Sequence, residues 1–275
     1  MDFESMNNEI REKGINIIRY FLYDKGNISG NEFIKTYPLS NCYSIAKAFT
    51  ATAIGILYDM GKIDSDDYVA DILEYENDLK KMKIRHLLTH TPGFTEGCMF
   101  GDDRFAHGDD LLQYALSRPM AYEPGTTLVY SNSSTYILSC IVGKISGVSL
   151  DLFLKEHLLS KIGIKVYAWD SCPGEQTVGA TGFYISTFDL LLFGILYLNR
   201  GVWNGERILS EKWIKMASSG FGFWRNSDEF YYAKGAYAQN LFIVPDKNIV
   251  FANHAFDNDK TDELDEIIRK HLNIK

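Results

Sequence analysis

The tetrad Ser44-Ile45-Ala46-Lys47 places a hydroxyl and an amine three residues apart, a spacing that makes side chains neighbours on one helix face. It opens the run from Ala46 to Met60, which is apolar almost all round. The first turn of a helix offers unpaired N–H groups and the positive end of the dipole, which favour developing negative charge. A serine beside an amine in that setting is a candidate activated nucleophile. The bland reading makes Ser44 an N-cap and Lys47 a snorkelling surface residue. On the tetrad alone both readings stay open, although the pattern occurs once in the chain and heads its most apolar helix.

A serine–lysine pair also needs a proton relay to the leaving group and a polar group to hold the amine. Tyr130-Ser131-Asn132 offers a phenol and an amide. The pattern Tyr-x-Asn recurs at Tyr75-Glu76-Asn77 and Tyr197-Leu198-Asn199, so its setting must distinguish it. At Tyr130 it follows the Pro124-Gly125 turn and opens a helix, which suits presentation into a cleft.

Other patterns carry less. His86 and His90 have the i, i+4 spacing of metal ligands, but the Glu of H-E-x-x-H is missing and Pro92-Gly93 ends the helix at once. No metal is expected there, and His90 reads as a hydrogen-bonded structural residue. The elbow G-x-S-x-G and the glycine-rich phosphate motifs are absent, so no cofactor is expected. Asp64-Ser65-Asp66-Asp67 reads as solvated turn. Trp224, Tyr231, Tyr232 and Tyr237 could line a pocket, the alternative being sheet packing.

Around these residues the elements read as follows. Residues 5–23 are ambiguous between a helical stripe and a strand, and Ile28–Tyr37 is a weak strand. The central helix runs from Ala46 to Met60 and stops at Gly61. Short helical pieces follow at 69–73, 84–88 and 109–117, with longer helices at 133–145 and 150–159. Thr187 reads as the N-cap of a helix to Leu198, and Ser210 as the cap of one to Ala217. Residues 173–182 are loop. Tyr231–Val244 and Ile249–Ala255 read as two strands joined at Pro245-Asp246-Lys247-Asn248. Thr261–Leu272 is a helix with Leu264, Ile267, Ile268 and Leu272 on one face. The pattern implies an α+β chain: a sheet lobe from both ends (about 1–60 and 218–275) and a helical lobe between (about 61–217).

Composition bounds the rest. The chain has 275 residues, is 46% hydrophobic, and carries a formal charge of −8; such an acidic chain is a poor nucleic-acid binder. Its four cysteines are widely spaced and read as reduced thiols rather than a disulfide or metal framework. The first residues show no leader pattern and no stretch reaches membrane-spanning length, so a cytoplasmic protein with no membrane partner is expected. Oligomeric state has no signature here.

Taken together, the chain resembles the serine β-lactamase and penicillin-binding-protein family, in the branch with class C β-lactamases, D-aminopeptidases and esterases. Ser44-x-x-Lys47 matches its first motif and Tyr130-x-Asn132 its second. Weaker matches lie in order between and beyond them: Gly61-Lys62-Ile63, His86 to Phe94, Glu123 to Thr126, Ile162 to Ile164, and Asp189 through Ser210. The resemblance implies an antiparallel sheet flanked by helices, an inserted all-helical lobe, and an active site between them. It implies a serine hydrolase that forms an acyl-enzyme on an ester, amide or β-lactam carbonyl of a small molecule or peptide. Ser44 would be the nucleophile, Lys47 its base, Tyr130 the proton relay, and Asn132 the positioning amide. The third family motif, [K/H]-[T/S]-G, is best matched by Ala233-Lys234-Gly235, with Ala236 supplying an oxyanion N–H. Ala233 replaces the basic residue, which points away from lactam carboxylates and toward esterase-like substrates. Lys234 is one place off and would point to the opposite face of its strand. A D-amino-acid peptidase or amidase, and a silent ligand-binding relative, are the alternative readings.

Overall fold

The computed structural model describes residues 3–75, 81–101, 110–172, 176–225 and 227–275. In chain order the elements begin with α1 (Phe3–Glu12), β1 (Ile17–Asp24), β2 (Asn27–Glu32), β3 (Leu39–Asn41), α2 (Ala46–Asp59), α3 (Val69–Leu73) and α4 (Ile84–Leu88). Then come α5 (Leu111–Leu116), α6 (Asn132–Ser146), α7 (Leu150–Leu154), β4 (Ala168–Trp169), β5 (Phe183–Ser186) and α8 (Thr187–Leu198). The last are β6 (Val202–Trp203), β7 (Glu206–Arg207), α9 (Glu211–Ser218), β8 (Tyr231–Gly235), β9 (Gln239–Val244), β10 (Ile249–Ala255) and α10 (Thr261–Leu272).

The main sheet has five antiparallel strands in the order β2-β1-β10-β9-β8. It is therefore closed from both chain ends, with Tyr20 opposite Asn253 and Ala233 opposite Leu241. Residues alternate between the two faces of a strand. On one face Tyr20, Leu22, Phe242 and Phe251 pack with Met6 and Ile10 of α1 and Leu264, Ile267 and Ile268 of α10. On the other, Leu241, Ile243, Val250 and Ala252 join the larger core that holds α2, α6 and α8. Helix α8 lies against β1, β9 and β10. Gly194 permits that approach, since a Cβ there would sit 2.5 Å from Val250. With helices on both faces, β9 and β10 are buried at every residue, so they read as apolar runs rather than as alternation.

The ambiguous first segment contains both candidates: a helix, then a strand. Gly14, at φ +59°, separates them, and Ile15 N–H bonds back to Ile10 O at 3.1 Å, a helix-ending turn. The expected strand Tyr231–Val244 is in fact two. Residues 236–238 turn with Tyr237 and Ala238 at φ +61° and +63°, held by Gln239 Nε2 donating to Ala236 O, Tyr237 O and Ala255 O. No glycine or asparagine marks that turn, so the sequence does not announce it. Ser186, not Thr187, caps α8, accepting from Asp189 N–H at 3.0 Å; the Thr187 hydroxyl instead meets His254 Nδ1 at 2.8 Å. The expected helix 150–159 is α-helical through Leu154 and finishes as a wider π turn. The start of the expected helix at 109–117, part of the 173–182 loop, and the Tyr-x-Asn copy at 75–77 fall outside the described residues.

Two close approaches fix the site's framework. A small sheet, β3-β5-β4, pairs the segment before Ser44 with the one after Ala180. At the edge of the main sheet, a Cβ on Gly235 would lie 2.3 Å from Cys42 O, so only glycine lets β8 reach the turn that carries Ser44. Gly235→Ala should therefore destabilise the fold by about 1–3 kcal/mol, the usual cost of overpacking. Urea denaturation checks this; an unchanged midpoint would show that the strand is not held against the turn.

Candidate active site

Ser44 sits in a single turn of 3-10 helix, Tyr43–Ile45, that runs directly into α2. Tyr43 is at φ +48°, an uncommon conformation for a side chain of its size. Asn41 Oδ1 accepts from Tyr43 N–H at 2.8 Å and Phe183 O accepts from Cys42 N–H at 2.8 Å, which holds the turn in place.

Helix α2 is buried from Ala46 to Leu57, and Lys47 is buried with it, at 6% exposure. Its Nζ lies 3.2 Å from Ser44 Oγ, 2.7 Å from Asn132 Oδ1 and 2.8 Å from Ala180 O. Every one of these partners is uncharged. Burial without a counter-charge disfavours an ammonium, and it pulls Lys47 down to about 7. A neutral amine has two N–H donors and one lone pair. Asn132 Oδ1 and Ala180 O accept the two donors, which leaves the lone pair for the Ser44 hydroxyl. The Asn132 amide is fixed in that orientation because its Nδ2 donates to Met99 O at 2.8 Å.

Tyr130 and Asn132 flank Ser131, the N-cap of α6. Asn132 N–H bonds to Cys98 O at 3.2 Å and Val129 N–H to His90 O at 2.7 Å. The Tyr130 ring lies 5.0 Å from Lys47 Nζ. Burial raises the Tyr130 phenol above its usual value, offset in part by a hydrogen bond with Ser44. So Ser44, Lys47, Tyr130 and Asn132, 88 residues apart in sequence at the extremes, form one hydrogen-bonded cluster.

The remaining cleft wall was only partly legible. His90 lines the cleft beside Ser44, Lys47, Tyr130, Phe223, Trp224 and Ala233. Its ring is 4.6 Å from that of Tyr130, and its Nδ1 is buried with no hydrogen-bond partner. The expected hydrogen bonds of His90 are made by its backbone, to Val129 and Leu87, while its ring packs on Tyr130 at a tilt and lies parallel to Trp224. Burial and the nearby Lys47 push it down to about 3, so it is neutral. Of the four aromatic residues singled out, Trp224 lines the cleft, and Tyr231 is buried against Phe223. Tyr232 packs with Phe230 and Phe242, and Tyr237 packs on Tyr43. The contribution of Ala180 was invisible in the sequence, because any residue can supply a backbone carbonyl.

In the third segment, Ala233 is buried toward the cleft. Lys234, expected on the opposite face, also lines the cleft, with its amine paired to Asp265 of α10 at 2.9 Å. Gly235 packs on Cys42 O, and Ala236 opens the following turn. All four cysteines are free thiols, with Cys172 the least buried. Among the described residues no group of three or more His, Cys, Asp or Glu side chains is placed to hold a metal ion, and no helix is long and apolar enough to cross a membrane by itself.

A linkage effect follows from Lys47. The unfolded chain keeps a proton on this amine up to about pH 10.4, whereas the folded one releases it near 7. Between those values the unfolded state binds more protons, so this residue makes stability rise with pH. The stability of the wild type relative to Lys47→Met should climb from pH 7 to pH 10, measured by urea denaturation at each pH. A constant difference would mean the amine is not depressed.

Comparison with known proteins places the chain in a family. The family model described as Beta-lactamase matches residues 39–272. The chain is 31% identical over 206 residues to penicillin-binding protein 4 of Amycolatopsis lactamdurans, covering 61% of this chain and 53% of that protein. It is 26% identical over 162 residues to a β-lactamase of Pseudomonas fluorescens, covering 58% and 44%. The chain thus spans about half the length of these curated relatives. Among solved structures, a family VIII carboxylesterase superposes with a TM-score of 0.78 at 16% identity, covering 98% and 96% of the two chains. The octameric penicillin-binding protein homologue from Pyrococcus abyssi gives 0.80 at 18% identity, covering 100% and 78%. At such identities these two likenesses concern the fold, which is the β-lactamase/transpeptidase-like α+β arrangement. The chain belongs to the Beta-lactamase family.

Proposed function

We propose that this protein is a serine hydrolase that forms an acyl-enzyme at Ser44 on an ester, amide or β-lactam carbonyl, with an esterase-like preference. The observation that carries the reading is the buried Lys47 amine, 3.2 Å from Ser44 Oγ and held by uncharged acceptors. Ser44 Oγ attacks the carbonyl carbon while the Lys47 lone pair takes the hydroxyl proton. Burial keeps the Tyr130 phenol protonated, which suits a donor to the leaving group better than a base. Tyr130 hands its proton to the departing oxygen or nitrogen and recovers one from Lys47. Water then attacks the Ser44 ester, with the same groups working in reverse. Asn132 holds Lys47 in place and offers its amide edge to substrate.

Two N–H groups would hold the oxyanion, those of Ser44 and Ala236. Tyr232 exchanges hydrogen bonds of 2.8 and 2.9 Å with Trp224 on the outer edge of β8. By strand alternation Lys234 and then Ala236 direct their N–H groups to that same edge, beside the Ser44 turn. The esterase-like preference rests on Ala233: the cleft-facing position that would carry a base holds a methyl group, and the Lys234 amine is engaged by Asp265. We place this cleft between a sheet lobe and a helical lobe.

Intact-mass spectrometry after treatment with a fluorophosphonate should show one adduct that Ser44→Ala lacks, and no stable adduct with a penicillin. No adduct on wild type would contradict the nucleophile, and penicillin turnover would contradict the esterase preference. The base makes a further demand. Lys47 must be neutral to act, so kcat/KM should rise tenfold per pH step and level off above about 7. A profile still rising at pH 9 would assign the proton to another group.

A further inference from the structure

The aromatic residues of the cleft gather on the side of Tyr130. The Trp224 indole is nearly parallel to the His90 ring, at 12° and 6.3 Å, and lies 6.1 Å from the Tyr130 ring. Phe100 stacks on Tyr130 at 6.2 Å and 18°. Trp224 is 37% exposed and Phe100 45%, so each keeps an open face. The indole does not hang from a free loop: its own backbone exchanges two hydrogen bonds with Tyr232 at the edge of β8.

The cleft that joins Ser44 and Tyr130 to Trp224 and Ala233 is narrow and open to solvent on one side. A leaving group bonded to an atom beside Tyr130 meets the exposed faces of Trp224 and Phe100. The cations that line the cleft, Lys47 and Lys234, both have partners. Lys47 is spent on Asn132, Ala180 and Ser44, and the Lys234 amine pairs with Asp265. His90 is neutral, and Ala233 presents a methyl group.

We propose that Trp224 is a specificity-determining residue, the outer wall of a subsite that takes a flat, uncharged leaving group such as an aryl alcohol or aryl amine. The inference rests on the acyl-enzyme reading in one respect: Tyr130 protonates the leaving atom, so the group bonded to that atom must lie among the rings that surround Tyr130. In the reaction the carbonyl–O or carbonyl–N bond breaks, the Tyr130 proton goes to the leaving atom, and the neutral phenol or aniline departs across the indole face.

Two acetate esters with one acyl group, phenyl acetate and 2,2,2-trifluoroethyl acetate, read this subsite. In Trp224→Leu the ratio of their kcat/KM values should shift against the phenyl ester by about 5-fold or more, chiefly through KM, the scale of one aromatic contact. Trp224→Phe should retain most of the wild-type ratio. An unchanged ratio in Trp224→Leu would overturn the proposal. Calorimetric titration of Ser44→Ala with acetanilide reads the subsite without turnover. Binding should weaken about 5-fold or more when Trp224→Leu is added, and either no binding or equal binding would overturn it. A wild type that binds acetanilide through Trp224 but takes no fluorophosphonate at Ser44 would instead refute the acyl-enzyme reading while leaving the aromatic wall standing.

Discussion

A lysine amine buried among neutral acceptors is the constraint on which the rest of the structure depends. At about 1.4 kcal/mol for each pH step, holding Lys47 down to about 7 costs several kcal/mol. The fold sustains that cost because Asn132 Oδ1 and Ala180 O would themselves be stranded without it. The arrangement is therefore cooperative: α2 supplies the amine, α6 the amide, and the bend before β5 the carbonyl. Moving any one of the three leaves an unpaired polar group in the core.

The surrounding architecture serves this convergence. Helix α2 can be apolar on every side because α6, α7 and α9 pack around it and Phe49 reaches Phe183 of β5 and Phe193 of α8. Gly55 lets the Trp213 ring lie directly on its backbone, since a Cβ there would meet Nε1 at 2.2 Å. Gly235 does the same at the head of the helix, where β8 meets the serine turn. Strain collects nearby, with Tyr43, His90 and Tyr237 all at positive φ. Such conformations persist where neighbouring structure over-determines them: Asn41 Oδ1 accepts from Tyr43 N–H, and Gln239 Nε2 donates to Tyr237 O.

Much of this was written in the sequence as residue types at short spacing. Ser44 and Lys47 are one helical turn apart, so their proximity is local geometry. Tyr130 and Asn132 stand out through the Pro-Gly turn ahead of them and the Ser131 cap between them. The central helix, the C-terminal helix and its buried face were legible because their apolar period is strong. What escaped was non-local or carried by the backbone: the Ala180 carbonyl, the turn at 236–238 held by a glutamine side chain, and the pairing of Trp224 with Tyr232. Likewise His90 meets its expected hydrogen bonds through its backbone, and the aromatic residues that pack on its ring come from distant segments that no periodicity connects.

In the folded protein Lys47 is held down to about 7, so much of the amine is neutral at physiological pH. Lysine labelled with 13C at Cε, assigned with Lys47→Met, reports its protonation directly by NMR across pH 5–11. The account predicts a Lys47 resonance that titrates with a midpoint near 7, well apart from the surface lysines near 10.4. A Lys47 midpoint among those of the surface lysines would contradict it, since a permanently charged amine cannot accept the Ser44 proton.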